Sequence, residues 1–393
     1  MIRKTSPEFK NPLYKGVNIN MSNLIKSFLL ILLPMLIFFF SWSNVGLASA
    51  TSNEPLYTTV KGRVIDSSIQ EKGSEAGETG QLVTVRILSG EYSGNNIQLN
   101  NSLLINPWPN IQLKDGDWVV LTFEEREGMI TNAYISDYGR SNSIYLLIGS
   151  YFLLLIMIGG RKGVKAIVAL SITCLVLILI LLPLLLKGHN PLFLTIIILA
   201  VITFITMPII GGLNIKTWSA TLGTICGVII AGLIAFSVGT IFHLTGFIDD
   251  GAQDLLFMHG LGNLDLKGLL FAGMIIGALG ATMDVGMSIA SSIEEVKRAN
   301  PRLSIIKLFQ AGMNVGRDTM GTMANTLILA YVGSSLPMLL LLIASETSGI
   351  RISNSEFVAT EVVRALSGSI GLTFTIPITS LISAVFQSKK AAI

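Results

Sequence analysis

Asp284, Glu361 and Arg364 are charged residues inside apolar runs long enough to span a bilayer. A bare charge at the bilayer centre costs at least about 2.5–3.5 kcal/mol, so such residues normally face a protein interior or a wet cavity. Groups of this kind can hold a coupling ion or a proton, or contact a polar solute in passage. Asp284 shares one helix face with Gly273, Gly277, Gly280, Ser288 and Ser291, because the steps between them are three or four residues. Close helix approach accounts for the small residues but not for a carboxylate. Arg317-Asp318, Thr322 and Asn325 make a second polar stripe. In a third, Glu361, Arg364, Gly368, Gly371 and Thr375 are spaced so that Glu361 and Arg364 can pair within one helix. That pair is either a permanent structural bridge or an opening contact. At ~1.5 Å per residue, Asp284 lies about 24 Å into its span and Arg364 about 10 Å into its own. Depth therefore matches Asp284 with Arg317 and Asp318 in an inner layer, with Glu361 and Arg364 in an outer one. Two such layers are what the gates of an alternating-access carrier require, although a static bundle can carry them too.

Other chemistry finds less support. The loop after Phe242 holds His243, Asp249, Asp250, Asp254 and His259, which could bind a divalent ion, but no recognised ligand spacing is present. An acidic loop of this kind is ordinarily just solvated. Cys174 and Cys226 both lie in apolar runs, which points to helix packing rather than to a disulfide framework or a metal cluster. HExxH, GxSxG and GxxxxGK[ST] motifs are all missing, so neither an enzyme nor an ATPase within this chain is expected. No cofactor is expected, and scattered basic residues give no nucleic-acid surface.

The elements that must position these residues are membrane spans. The 393 residues are 51% hydrophobic and only 13% charged, about half the charge of a water-soluble domain. Seven spans of roughly 20 residues are expected near Ser143–Ile158, Ala166–Leu186, Pro191–Ile210, Trp218–Phe242, Gly268–Ser291, Thr319–Ala344 and Phe357–Phe386. The last two are long enough to tilt or break, and Pro377 is expected to kink or break the seventh. Before them, residues 1–50 read as a signal peptide ending in Ala48-Ser49-Ala50, or as an uncleaved anchor. Either reading puts Thr51 onward outside the cytoplasm. Connections on the inner side then carry Arg161, Lys162, Lys165, Lys216, Lys297, Arg298, Arg302, Lys307, Arg317, Lys389 and Lys390. The outer side carries only Lys187, Lys267 and Arg351, in accord with the positive-inside rule. The partner is thus the lipid bilayer of a plasma membrane, with the C-terminus cytoplasmic. Between the fifth and sixth spans, Ile305–Phe309 is basic and amphipathic, as expected of a helix on the inner membrane surface. On the outer side, Leu255–Met258 reads as an interfacial or re-entrant piece.

Residues 51–140 differ in character. Five β-rich stretches, Tyr57–Ile65, Leu82–Leu88, Asn96–Leu99, Asp117–Glu124 and Met129–Ile135, alternate with Gly- and Asp-rich turns. They suit a small extracytoplasmic β-barrel, the OB fold being one form it could take. Trp118 is expected in its core and Trp108, between Pro107 and Pro109, in a loop or at the membrane surface.

Three blocks resemble the YibE/F-like family of bacterial multi-pass membrane proteins. They are Gly277-Ala278-Leu279-Gly280-Ala281-Thr282-Met283-Asp284-Val285 through Glu295, Gly316-Arg317-Asp318-Thr319-Met320-Gly321-Thr322, and Glu361-Val362-Val363-Arg364 with Gly368-Ser369-Ile370-Gly371 and Pro377. The resemblance implies a multi-pass topology after a β-rich domain and a likeness to transporters, with no activity that transfers residue by residue. Together with the stripes it supports a permease for a small solute or ion. Its expected path is Asp284, Ser288, Arg317, Asp318, Asn325, Glu361 and Arg364. The alternatives are the membrane subunit of an ATPase-driven complex, docking a cytosolic partner at Ile293–Arg317, and a scaffold or sensor that presents the β domain. The sequence sets no oligomeric state.

Overall fold

A computed structural model describes residues 56–71, 79–103, 111–126, 129–247, 250–257 and 264–390. The expected signal segment and Trp108 lie outside the described residues. Two compact units divide near Ile158 and Gly159, each with its own core.

The first unit contains a five-stranded antiparallel sheet: β1 (Leu56–Glu71), β2 (Thr79–Ile87), β3 (Asn96–Leu103), β4 (Trp118–Arg126) and β5 (Met129–Tyr138). Its order is β3-β2-β1-β4-β5, and the two edge strands approach each other, so the sheet curls into a partly open, OB-like half-barrel. Bulges in β1 and along the β4–β5 pairing increase the local twist. Alternate residues fill the interior: Val60 and Val64, then Val83, Val85 and Ile87, then Val119, Leu121 and Phe123. Gln81 is also buried there. Its side chain accepts from Leu113 N at 3.0 Å and donates to Leu113 O at 2.5 Å, holding the segment before β4 against the sheet. Trp118 corrects the expectation of a core residue. It is 40% exposed, with the Arg63 guanidinium 5.8 Å from its ring centre. Since Val119, Leu121 and Phe123 point inward, strand alternation turns Trp118 outward. Helix α1 (Ser141–Gly159) follows.

The second unit is helical. It comprises α2 (Arg161–Leu186), α3 (Pro191–Gly211), α4 (Ile215–Ile241), α5 (Asp250–Phe257), α6 (Leu266–Ala299), α7 (Ile305–Ser334), α8 (Leu336–Ala344), α9 (Gly349–Ser353) and α10 (Glu356–Lys390). Among the described residues six helices are long and apolar enough to cross a membrane: α1, α2, α3, α4, α6 and α10. The sixth expected span, Thr319–Ala344, falls in the pair α7–α8, bent by 60° at Ser335. Pro337 withholds an N–H from the carbonyl four residues back and disfavours helix at the residue before it, which places the break there. Pro377, expected to kink or break its helix, does not break it: it sits inside the single helix α10. The expected surface helix at Ile305–Phe309 is the first part of α7, where Leu308 is fully buried. α5 takes in Leu255–Phe257 of the piece expected to be interfacial, and Met258 lies outside the described residues.

Helices α4, α6 and α10 form the centre, and their contact surface is unusually fine-grained. A Cβ added at Gly223 would collide with Thr379, and one at Gly227 with Thr375. At Gly371 an added Cβ would lie 2.6 Å from Ala231 Cβ. Gly223, Gly227 and Ala231 recur every four residues on α4, the small-xxx-small pattern that brings helix backbones together. Thr221, Thr375 and Thr282 are buried in this centre and bond carbonyls of their own helices, so their hydroxyls are satisfied without water.

Candidate functional site

A cavity of about 710 Å³ lies at the end of the helical unit where α5, the start of α6, the α7–α8 bend and the start of α10 meet. Among the described residues Glu361 and Arg364 are the only charged ones lining it; Ser334, Ser335 and Gly273 add small polar or bare surface, and Leu269, Leu270, Met338 and Phe357 are among its apolar walls. One turn of α10 separates Glu361 from Arg364, and Arg364 Nη1 donates to Glu361 Oε1 at 2.5 Å. Glu361 Oε2 is buried without a hydrogen-bond partner among the described residues. Glu356, which sequence reasoning passed over, fixes the rim. Its Oε1 accepts from Thr245 N at 2.5 Å, from Thr245 Oγ1 at 2.8 Å and from Gly246 N at 3.3 Å. An acid in the first turn of a helix was the available signal, since that position favours negative charge.

Gly273 ties this cavity to the stripe on α6. Gly273, Gly277, Gly280, Asp284 and Ser288 are all exposed, while Ala278, Thr282, Val285 and Ile289 on the opposite face are buried. The stripe is therefore not the packing surface of this helix. Added Cβ atoms at Gly273 and Gly280 would meet nothing within 4 Å, whereas at Gly277 one would strike the Tyr331 hydroxyl of α7. Tyr331 thus stands over the stripe between the cavity and Asp284.

The inner layer differs from its expected form. Arg317, Asp318 and Asn325 are exposed, and none of the ion pairs among the described residues includes Asp284, Arg317 or Asp318. The reason is the register of α7: Leu308, Gly312 and Gly316 pack inward, which turns Asp318, Thr322 and Asn325 to the far side. A different ion cluster occupies that end of the bundle. Lys216 Nζ of α4 lies 3.2 Å from Glu294 Oε2 of α6, an ion pair whose geometry does not complete a hydrogen bond. Arg298 completes the cluster, 3.1 Å from Glu294 Oε1 and 3.2 Å from Glu295 Oε1. Glu294 and Arg298 are four residues apart, a readable signal, but the bond to Lys216 joins two helices and left none.

Two family models match the chain. The model described as YibE/F-like protein matches residues 147–389, and the one described as YibE/F family N-terminal domain matches residues 55–138. The N-terminal match ends with β5, and the other begins within α1. The chain belongs to the YibE/F-like family. Searches found no match among curated proteins and none among solved structures.

In this YibE/F-like protein the loop considered for metal binding is only partly described. Asp249 and His259 lie outside the described residues, as does the side chain of Asp250. His243 is exposed with φ 54°, a left-handed conformation at the end of α4, and Asp254 is exposed on α5. Among the described residues no three His, Cys, Asp or Glu side chains converge as metal ligands.

Proposed function

We propose that this protein is a membrane transporter for a small solute or ion, with its path along α6, α7 and α10. The observation that carries the reading is the cavity at the head of α10, of ligand size and holding one ion pair among apolar walls. Gly273 connects it to the open stripe that ends at Asp284 and Ser288. In this reading Glu361 and Arg364 control the outer opening and Asp284 binds a coupling ion or proton. The distribution of basic residues favours the cavity end as the outer end, the β domain as extracytoplasmic and the C-terminus as cytoplasmic. Lys216, Glu294 and Arg298 then close the inner end as a cross-helix lock. The test is ion and proton flux in liposomes containing the purified protein, wild type beside Asp284→Asn. Loss of flux in the intact variant supports the role of Asp284, and unchanged flux removes it.

A second reading, a membrane subunit of a larger complex, draws on the same stripe. A carboxylate left uncovered at membrane depth is unfavourable and a partner could cover it. Co-purification of a stoichiometric partner in mild detergent would favour this reading, and transport by the isolated protein would count against it.

A further inference from the structure

We propose that the cavity at the head of α10 binds a small amphipathic zwitterion, its anionic group on Arg364 and its ammonium group on Glu361. The inference deepens the transport reading by naming the class of cargo, and rests on it only for the word cargo; binding stands without transport.

The argument starts from unused bonding capacity. Arg364 carries five N–H donors and gives one of them to Glu361. Its side chain is 26% exposed, so donors remain available on the cavity side. Glu361 accepts at Oε1, while Oε2 is out of reach of water and has no donor among the described residues. An ionised oxygen in that condition is unfavourable, and a ligand N–H removes the penalty. The terminal torsion of a glutamate is soft, so the carboxylate can turn its second oxygen to the cavity at small cost.

Charge balance then selects the ligand. Among the described residues Glu361 and Arg364 are the only charged ones on the wall, and the two together are neutral. A simple anion would draw Arg364 away and leave Glu361 unpaired in an apolar cavity; a simple cation would do the reverse. A zwitterion answers both charges and leaves no net charge behind. Leu255, Leu269, Leu270, Met338 and Phe357 then call for an apolar tail. Two sources supply this chemistry: a free aliphatic amino acid, or the ethanolamine headgroup of a phospholipid with phosphate in place of carboxylate.

The full-length protein, in nanodiscs made only of phosphatidylglycerol, is titrated calorimetrically with L-leucine, with isocaproate, which lacks the ammonium, and with isoamylamine, which lacks the carboxylate. Dihexanoyl phosphatidylethanolamine and dihexanoyl phosphatidylglycerol form the lipid arm. We expect one zwitterion to bind saturably, and to exceed its partners lacking a charge by roughly tenfold to a hundredfold in affinity. Which zwitterion binds identifies the source. Glu361→Gln and Arg364→Gln should each weaken it by a similar factor. Failure of both zwitterions to bind overturns the proposal, as does a single-charge analogue that binds as tightly as its parent. The ligand series uses the wild-type protein, so it decides even if a variant misfolds. Asp284-dependent ion flux without zwitterion binding would sink this inference and leave transport standing; binding without flux would do the opposite.

Discussion

Two sets of glycines in this bundle should respond to the same substitution with opposite signs. At Gly227 on α4, a Cβ would collide with Thr375 Oγ1 and would lie 2.9 Å from Gly371 O and 3.2 Å from Thr375 Cβ. Thr375 is buried and its hydroxyl donates to Gly371 O at 3.0 Å, so it cannot swing aside without giving up that bond. Overpacking of this kind costs about 1–3 kcal/mol, and the better helix propensity of alanine returns up to about 1 kcal/mol. Gly227→Ala should therefore destabilise the protein by about 1–2 kcal/mol. At Gly280 on α6, an added Cβ meets nothing within 4 Å, so Gly280→Ala should be neutral or stabilising by up to about 1 kcal/mol. Thermal unfolding of the full-length protein in detergent measures both. Replacing Thr375 by Ala removes the nearest colliding atom, so the double variant Gly227→Ala/Thr375→Ala should be more stable than additivity predicts, by about 1 kcal/mol. If Gly280→Ala costs as much as Gly227→Ala, the stripe is a packing surface after all and the assignment of the two faces fails.

Further consequences follow from single contacts. Lys216→Met removes the cross-helix partner of Glu294 and should cost about 1–3 kcal/mol, since the pair is only partly exposed; charge removal at both positions should cost less than the two single changes summed, in the same unfolding assay. Gln81→Met strands the N–H and C=O of Leu113 inside the β domain and should cost about 2–4 kcal/mol, visible as early loss of β-sheet circular dichroism. Arg140, with the N–H of Tyr138, holds the carboxyl of Asp137 below the usual carboxylate range. A depressed folded value means this contribution is present above the unfolded pKa and is lost as pH falls through the folded one. NMR titration should show Asp137 protonating only in that acid window, and Arg140→Ala should move its midpoint up toward the ordinary value.

The span positions and the alternating strands could be read in the sequence because each follows one periodicity of burial. Apolar runs located the six straight spans and the broken one, and the period-two pattern located the five strands. Trp118 was misread because residue type was weighed above parity: the inward set of Val119, Leu121 and Phe123 leaves position 118 outside. The ends of α6 and α7 ran past the apolar windows because Ile293 and Leu308 pack against each other's surroundings beyond the hydrophobic run. Which glycine face packs could not be seen from α6 alone, since small residues look the same whether a neighbour fills the space or not. The pattern Gly223, Gly227, Ala231 on α4 carried that information and was overlooked. Within the candidate site, Glu361 and Arg364 were legible as an i,i+3 pair, whereas Glu356 and the Lys216–Glu294 contact depend on folding distant segments together.

Transport along the open face of α6 is tested most directly by flux in sealed liposomes that contain only this protein and lipid. Ion and proton movement, and uptake of labelled leucine, are followed for wild type, Asp284→Asn and Gly280→Ala. The account predicts flux in wild type, its loss in Asp284→Asn with the protein still folded, and reduced flux in Gly280→Ala despite undiminished stability. No flux of any of these solutes in wild type, or equal flux in wild type and Asp284→Asn, would contradict it.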